Sequence, residues 1–349
     1  MKKILALVLA LAMVASFAAC GEKKDNNKDS QNATAEYKLG MGVSVSLDSS
    51  ADKKDGKEAT AQADATVATV VVDKDGKIVS IAIDCAQTKV QVKDGKMVDL
   101  DKVDLRTKYE KKGDYGMLAA SPIGKEWFEQ VDALENWCVG KTAAEIIASS
   151  TTTNDHGVVS DDADLKAGCT MQITDFFDAI KKACDDAQAV SFKASKGFKL
   201  GLNVLTDVSG STNKNDKGDA TAQLYSTFGA AVVDSDGKVL AAIVDEIQPK
   251  VQVDNKGVIS NKSYKDTKRN LKGDYGMSAV SPIGKEWYEQ EDAFAAYVVG
   301  KTAAEVEAIP TTTKENGYVV AADADLAAGC TMQISGYIKV VANAAKGAN

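Results

Sequence analysis

Residues 162–173 read Asp-Ala-Asp-Leu-Lys-Ala-Gly-Cys-Thr-Met-Gln-Ile, and residues 323–334 read the same with alanine in place of Lys166. Eleven of twelve positions agree, so the chain contains a duplication. Working outward, residues 113–130 match residues 273–290 at 15 of 18 positions, and Gly-Lys-Thr-Ala-Ala-Glu at 140–145 recurs intact at 300–305. The offset is 161 early, 160 in the middle and 161 late. One residue is therefore lost between Val92 and Thr107 and one regained between Thr153 and Asp162, stretches that read as loops, where length changes cost little. A period this long means duplicated domains, because solenoid units repeat at a few tens of residues. The reading places domain 1 at residues 37–188 and domain 2 at 198–349.

Each copy opens with alternation: Leu39, Met41, Val43, Val45 and Leu47, then Leu200, Leu202, Val204 and Val208. Period two predicts a strand with one buried face. Runs at 66–73 and 77–84 flank Asp75-Gly76, a hairpin signal repeated at Asp236-Gly237. A further short pair, 89–92 and 97–100, is joined across Asp94-Gly95. The period then changes. Trp127, Val131, Leu134 and Cys138 share one helical face, and Trp287, Phe294 and Val298 keep it in copy two with Glu291 in the second slot. A short helix follows from Thr142, and a last helix carries Ile173, Phe176, Phe177, Ile180 and Cys184 on one stripe. Strands first and helices after predict an α+β fold, two tandem copies of an antiparallel β-meander followed by helices.

Residues 1–19 pair Lys2 and Lys3 with an apolar stretch from Ile4 to Phe17 and the small residues Ala18 and Ala19, ahead of Cys20. This reads as an export signal, too short to span a bilayer. The cysteine after the small pair resembles a bacterial lipoprotein cleavage box, with Phe17 where leucine is commonest. The resemblance implies that Cys20 becomes a lipidated N-terminus whose two acyl chains hold the protein on the extracytoplasmic face of the cell membrane. Residues 20–36 are polar and carry little to bury, so they read as a flexible linker. Without Lys2 and Lys3, 40 basic side chains face 50 acidic ones, a balance that argues against a nucleic-acid partner.

The duplicated phrase is the candidate site. A glycine and a hydroxyl residue just ahead of an amphipathic helix suit an anion, because first-turn N–H groups and the helix dipole favour a phosphate oxygen, and glycine permits close backbone approach. Asp164, Gly168 and Thr170, with Asp325, Gly329 and Thr331, resemble the Asp-x-x-Ser/Thr-Gly-Ala-Thr/Ser motif of the FMN-binding domain family. Ala167 and Ala328 depart from it at the Ser/Thr position, and Cys169 and Cys330 stand where the family has alanine. The resemblance implies FMN as cofactor, held at or linked by a phosphoester bond to Thr170 and Thr331. It also implies loading by a separate flavin transferase, and electron relay from a membrane donor to an extracellular acceptor without bond-making chemistry of the protein's own.

Other readings of the same residues stay open. Asp164 and Thr170 are ordinary helix-capping types, which would leave a flavin-free surface binding module. Cys169 and Cys330 are the cysteines common to both copies, and a helix N-terminus lowers a thiol's pKa, so thiol redox is an alternative; the simpler role is filling space. Tyr115 and Tyr275 could lie against a flavin ring or pack into the core edge, and Trp127 and Trp287 read as core. His156 aligns with Asn316, so imidazole chemistry is not shared. Asp161, Asp162 and Asp164 lack the alternating ligand loop of a calcium site, so no metal is expected there.

Overall fold

Strand β1 (Ala35–Ser46) begins copy one two residues inside the stretch read as linker, because the segment from Ala35 to Leu39 pairs with a later strand. The computed structural model describes residues 34–348 apart from 156, 187, 188, 196 and 217; residues 1–33, and with them the export signal, Cys20 and most of the linker, lie outside the described residues, as does His156. After β1 come β2 (Ala59–Val72), β3 (Ile78–Lys93), β4 (Lys96–Met97), α1 (Lys108–Lys111), α2 (Trp127–Cys138), α3 (Ala143–Ile147), β5 (Thr151–Asn154), β6 (Gly157–Ser160), α4 (Ala163–Lys166), α5 (Thr174–Asp185) and β7 (Val190–Ala194). Copy two repeats the order as β8 (Lys199–Asp207), β9 (Ala220–Gln223), β10 (Tyr225–Val233), β11 (Val239–Ile247), β12 (Lys250–Val253), β13 (Ile259–Ser263), α6 (Lys268–Leu271), α7 (Trp287–Val298), α8 (Ala303–Glu307), β14 (Thr311–Thr313), β15 (Val319–Ala321), α9 (Ala324–Gly329) and α10 (Ser335–Gly347). The fold is α+β, and its sheets are antiparallel.

Copy one holds a five-stranded sheet in the order β4-β3-β2-β1-β7. The turn at Asp73–Lys77 places Gly76 at φ 74°, where a residue with a Cβ is strained, and the Asp73 carboxylate accepts the N–H groups of Asp75 and Lys77. The short pair expected across Asp94-Gly95 is real, but its first strand is the continuation of β3. Copy two splits the same sheet into β11-β10-β8 and β13-β12-β9. Pro249 stands where copy one has Thr88, and lacking an N–H it cannot continue the ladder; its carbonyl instead accepts the Leu224 N–H at 2.9 Å. The regions expected as loops near 153–162 are β-hairpins, β5–β6 and β14–β15.

The one-buried-face expectation for β1 is corrected by both faces being buried. Leu39, Met41 and Val43 face the other copy's sheet, sharing a cluster with Leu200, Val204, Phe228 and Ile243. The opposite face carries Gly40 and Gly42, and a Cβ on either would overlap backbone carbonyls of α5, at Ala183 and Ala179. Gly201 meets the Ala344 carbonyl of α10 in the same way. Helices thus lie against the outer faces while the two sheets meet in the middle, and residues from Thr34 onward form one compact unit.

The contact between copies is reciprocal, as in an isologous dimer interface. The Lys53 N–H donates to the Gly257 carbonyl at 2.8 Å, and its counterpart Lys214 donates to Gly95 at 2.7 Å. The Asp52 carboxylate accepts from the Ile259 N–H at 2.7 Å, and Asn213, its equivalent, accepts from Met97 at 2.8 Å. Small side chains fill the space between, Ala59 and Ala61 meeting Ala220 and Ala222.

The outer edges of β3 and β11 must satisfy their N–H groups without a strand partner. Carboxylates do this from the helices. Glu135 accepts the Ile83 N–H at 2.6 Å, whereas in copy two the job passes to Glu291, one turn earlier on α7, which accepts Val244 at 2.8 Å. Glu291 is fully buried and pairs with Arg269, itself 4% exposed at its side chain. Asp84 and Asp245 hold the N–H groups of Tyr109 and Arg269 at the starts of α1 and α6.

Burial pushes Asp84 up to about 6, Asp245 up to about 7 and Glu135 up to about 8, from 3.8, 3.8 and 4.5. Between the ordinary and the raised values the folded chain binds more protons than the unfolded one, so these groups' contribution to stability falls as pH rises. Thermal melts from pH 5 to pH 9 should show a midpoint declining toward the alkaline side, and Glu135→Gln should flatten that decline. A midpoint that rises over this range, or a Glu135→Gln profile identical to the parent's, would contradict the assignment.

Candidate functional site

The two duplicated phrases, residues 113–130 and 162–173, meet through one side chain. Gln130 lies on the buried face of α2 at 0% exposure, and Gln290 on α7 at 1%. The Gln130 Oε1 accepts the Thr170 N–H at 2.9 Å and its hydroxyl at 3.3 Å. Its Nε2 donates to the Ser121 hydroxyl and the Lys125 carbonyl, both at 3.1 Å, and approaches the Met117 sulfur at 3.6 Å. Copy two repeats every contact: Gln290 accepts Thr331 at 2.9 and 3.2 Å and reaches Ser281, Lys285 and Met277. A buried amide must find partners for both ends, so this glutamine fixes the threonine corner to the glycine-tyrosine loop.

That loop is held by the start of the same helix. Glu126 caps α2 in a reciprocal box with Glu129, and its carboxylate also takes the N–H groups of Met117 at 2.9 Å and Leu118 at 3.1 Å. Tyr115 is half-buried at the core edge, with the Lys108 ammonium 5.2 Å from its ring centre and 5.8 Å from that of Trp127. Trp127 and Trp287 are core residues, at 2% and 1% exposure. Beside the loop lies an open cleft of about 500 Å³ lined by Gln87, Tyr115 and Met117, with Lys89 and Lys111 matched by Asp104 and Asp114.

The motif residues fall differently from the helix-mouth expectation. The capping residue is Asp162, whose carboxylate accepts the N–H groups of Asp164 and Leu165 at 3.1 and 3.0 Å; Asp323 does the same in copy two. Asp164 and Asp325 are exposed in the first turns of α4 and α9. Three aspartates lie within four positions, so spacing alone could not single out the cap. Thr170 and Thr331 cap nothing. Each lies in the connection to the long helix, four residues before α5 or α10, and each is partly exposed. At Gly168 and Gly329 a Cβ would strike Ala133 or Ala293. Their missing side chains let α2 and α7 approach closely.

Cys169 and Cys330 are fully buried, and burial pushes both thiols up to about 11, opposite to the lowering that a helix N-terminus would give. They occupy core space in both copies. Among the described residues no group of three or more His, Cys, Asp or Glu side chains is arranged to hold a metal.

The residues fit a phosphorylated, aromatic cofactor in part. A partly exposed threonine, the first-turn N–H groups of α5 or α10 that no side chain caps, and a cleft beside an aromatic ring are the groups that such a ligand uses, although the cleft's lysines are balanced by Asp104 and Asp114. The exposed Asp164 and Asp325 oppose an anion. Gln130 and Gln290 escaped the sequence reading because a polar residue on an apolar stripe counts as a surface position, although both end the longer duplicated phrase.

Comparison with protein-family models, with curated proteins and with solved structures finds no match for this chain.

Proposed function

We propose that this protein is an exported, lipid-anchored flavin carrier, with one FMN held at or covalently attached to Thr170 and a second to Thr331. The supporting observation is that both threonines are partly exposed, bonded in the same way through their hydroxyls to a buried glutamine, and placed just before a long helix. FMN would supply the electron-carrying ring; the chain's part is to hold its phosphate and position it. Covalent loading by a flavin transferase would use FAD as co-reactant: the threonine Oγ–P bond to FMN would form as the FAD pyrophosphate P–O bond breaks, with AMP leaving and taking up the hydroxyl proton. Cys20 would tether the carrier outside the membrane, between a membrane donor and an extracellular acceptor. The sequence resemblance to FMN-binding domains is the second support for the reading.

One observation favours a flavin-free surface module instead: Gly168 and Gly329 are explained by helix packing without a ligand. The readings separate on co-expression with a flavin transferase. The carrier predicts flavin absorbance that survives unfolding and desalting, about half of it lost in Thr170→Ala or Thr331→Ala and all of it in the double variant. A colourless chain with each of several transferases would favour the module.

A further inference from the structure

Strand β7 occurs once, in the link between the copies; it pairs with β1 of copy one and also packs against β11 of copy two. A cleft of about 710 Å³ lies between β7, β11 and α7, within the range of small-molecule sites. Its walls are apolar: Val190 and Phe192 from β7, Leu240 and Ala242 from β11, Ala295 and Val299 from α7 and its end. The room on the helix side follows from sequence, since Ala295 and Ala296 replace the Glu135 and Asn136 of copy one.

The charges at this cleft are unequal in their engagement. The Asp234 carboxylate accepts the N–H groups of Asp236 and Lys238, both at 2.9 Å, and Asp292 accepts the Arg269 guanidinium at 2.8 Å. Lys193 and Lys238 also line the cleft, both exposed; Glu36 lies opposite Lys193 in the β1–β7 register and Glu305 is near enough to Lys238 to be stabilised by its charge, but among the described residues neither ammonium forms a direct ion pair. An apolar slot with two exposed ammoniums outside any direct ion pair, and acids turned toward a backbone turn and an arginine, offers an anion with an apolar body a contact for each of its halves.

We propose that this cleft binds a small amphipathic anion, an aromatic or alicyclic body carrying one carboxylate or sulfonate group that meets Lys193 and Lys238. The proposal does not depend on flavin. It is tested on the purified flavin-free chain with 1-anilinonaphthalene-8-sulfonate as probe, by fluorescence titration. One saturable equivalent per chain is expected. Ala296→Trp, at an exposed position that fills the slot without entering the core, should abolish it. Lys193→Glu combined with Lys238→Glu should weaken it about tenfold, while Asn136→Trp, the copy-one counterpart, and the Thr170→Ala/Thr331→Ala pair should leave it unchanged. Absence of saturable binding, or binding unaffected by both Ala296→Trp and charge reversal in variants that melt like the parent, would overturn the proposal.

Discussion

Gly201→Val should cost about 4 kcal/mol or more, enough to remove most of the stability of a typical domain. Gly201 lies in β8 opposite Ala231 of β10, and its missing side chain is what lets the Ala344 carbonyl of α10 touch the strand. The obstructing atom is backbone, so no rotamer change relieves the overlap. Helix α10 must lift, and Tyr337, Val340 and Val341 lose their burial, each worth about 1.5–3 kcal/mol when fully buried. Urea denaturation followed by far-ultraviolet circular dichroism should show the midpoint collapse or the cooperative transition vanish. Gly218→Val is the matched control, since nothing lies within 4 Å of its added Cβ. A Gly201→Val midpoint close to that of the control would refute the strand-against-helix contact.

Gln130→Leu should be the second largest loss, about 3 kcal/mol, because it strands several polar groups at once. The Thr170 N–H loses its acceptor, and the Ser121 hydroxyl and Lys125 carbonyl lose their donor. Thr170 is partly exposed and water can replace part of that bonding, which keeps the cost below that of Gly201→Val. Gln130→Glu keeps the acceptor for Thr170 but removes the donor, and should fall between leucine and the parent. A functional consequence accompanies the structural one: under the carrier reading, Gln130→Leu lowers flavin loading at Thr170 while leaving Thr331 loaded. Stability within about 0.5 kcal/mol of the parent, the scatter of an ordinary surface substitution, would show that this amide does not join the two duplicated phrases.

The fold was largely legible because its signals are periodic. Alternation located β1 and β8, Asp75-Gly76 marked the main hairpin, and the stripe through Trp127, Val131, Leu134 and Cys138 is the buried face of α2. What stayed hidden depends on partners distant in sequence. Gly40 and Gly42 occupy the face that alternation assigns to solvent, and only the approach of α5 shows why they are small. Strand β7 carries Phe192 and Ala194 toward the core in a five-residue stretch too short for periodicity to decide. The threonine triplet of β5 reads as a polar loop, since its four residues are exposed on a two-stranded hairpin.

The candidate site was legible as a place but not as an arrangement. Duplication singles out Thr170 and Thr331, and both residues are partly exposed. The capping role belongs to Asp162 and Asp323, and the glycines serve helix packing, because local motif reading cannot see α2 and α7 crossing behind the corner. The same crossing buries Cys169 and Cys330. The divergence between the copies is legible in sequence, but its consequence shows only in three dimensions. Glu246 beside Lys268 in copy two corresponds to Cys85 beside Lys108 in copy one, and the Glu246–Lys268 pair, at 2.9 Å, is bonded further to Thr227 and Tyr225.

The central claim is that the paired threonines carry flavin, and intact-mass spectrometry of the chain co-expressed with a flavin transferase tests it most directly. The account predicts two increments, each of one FMN less one water, which fragmentation assigns to the peptides containing Thr170 and Thr331. A mass equal to that of the unmodified chain, or an increment that maps elsewhere, would contradict it.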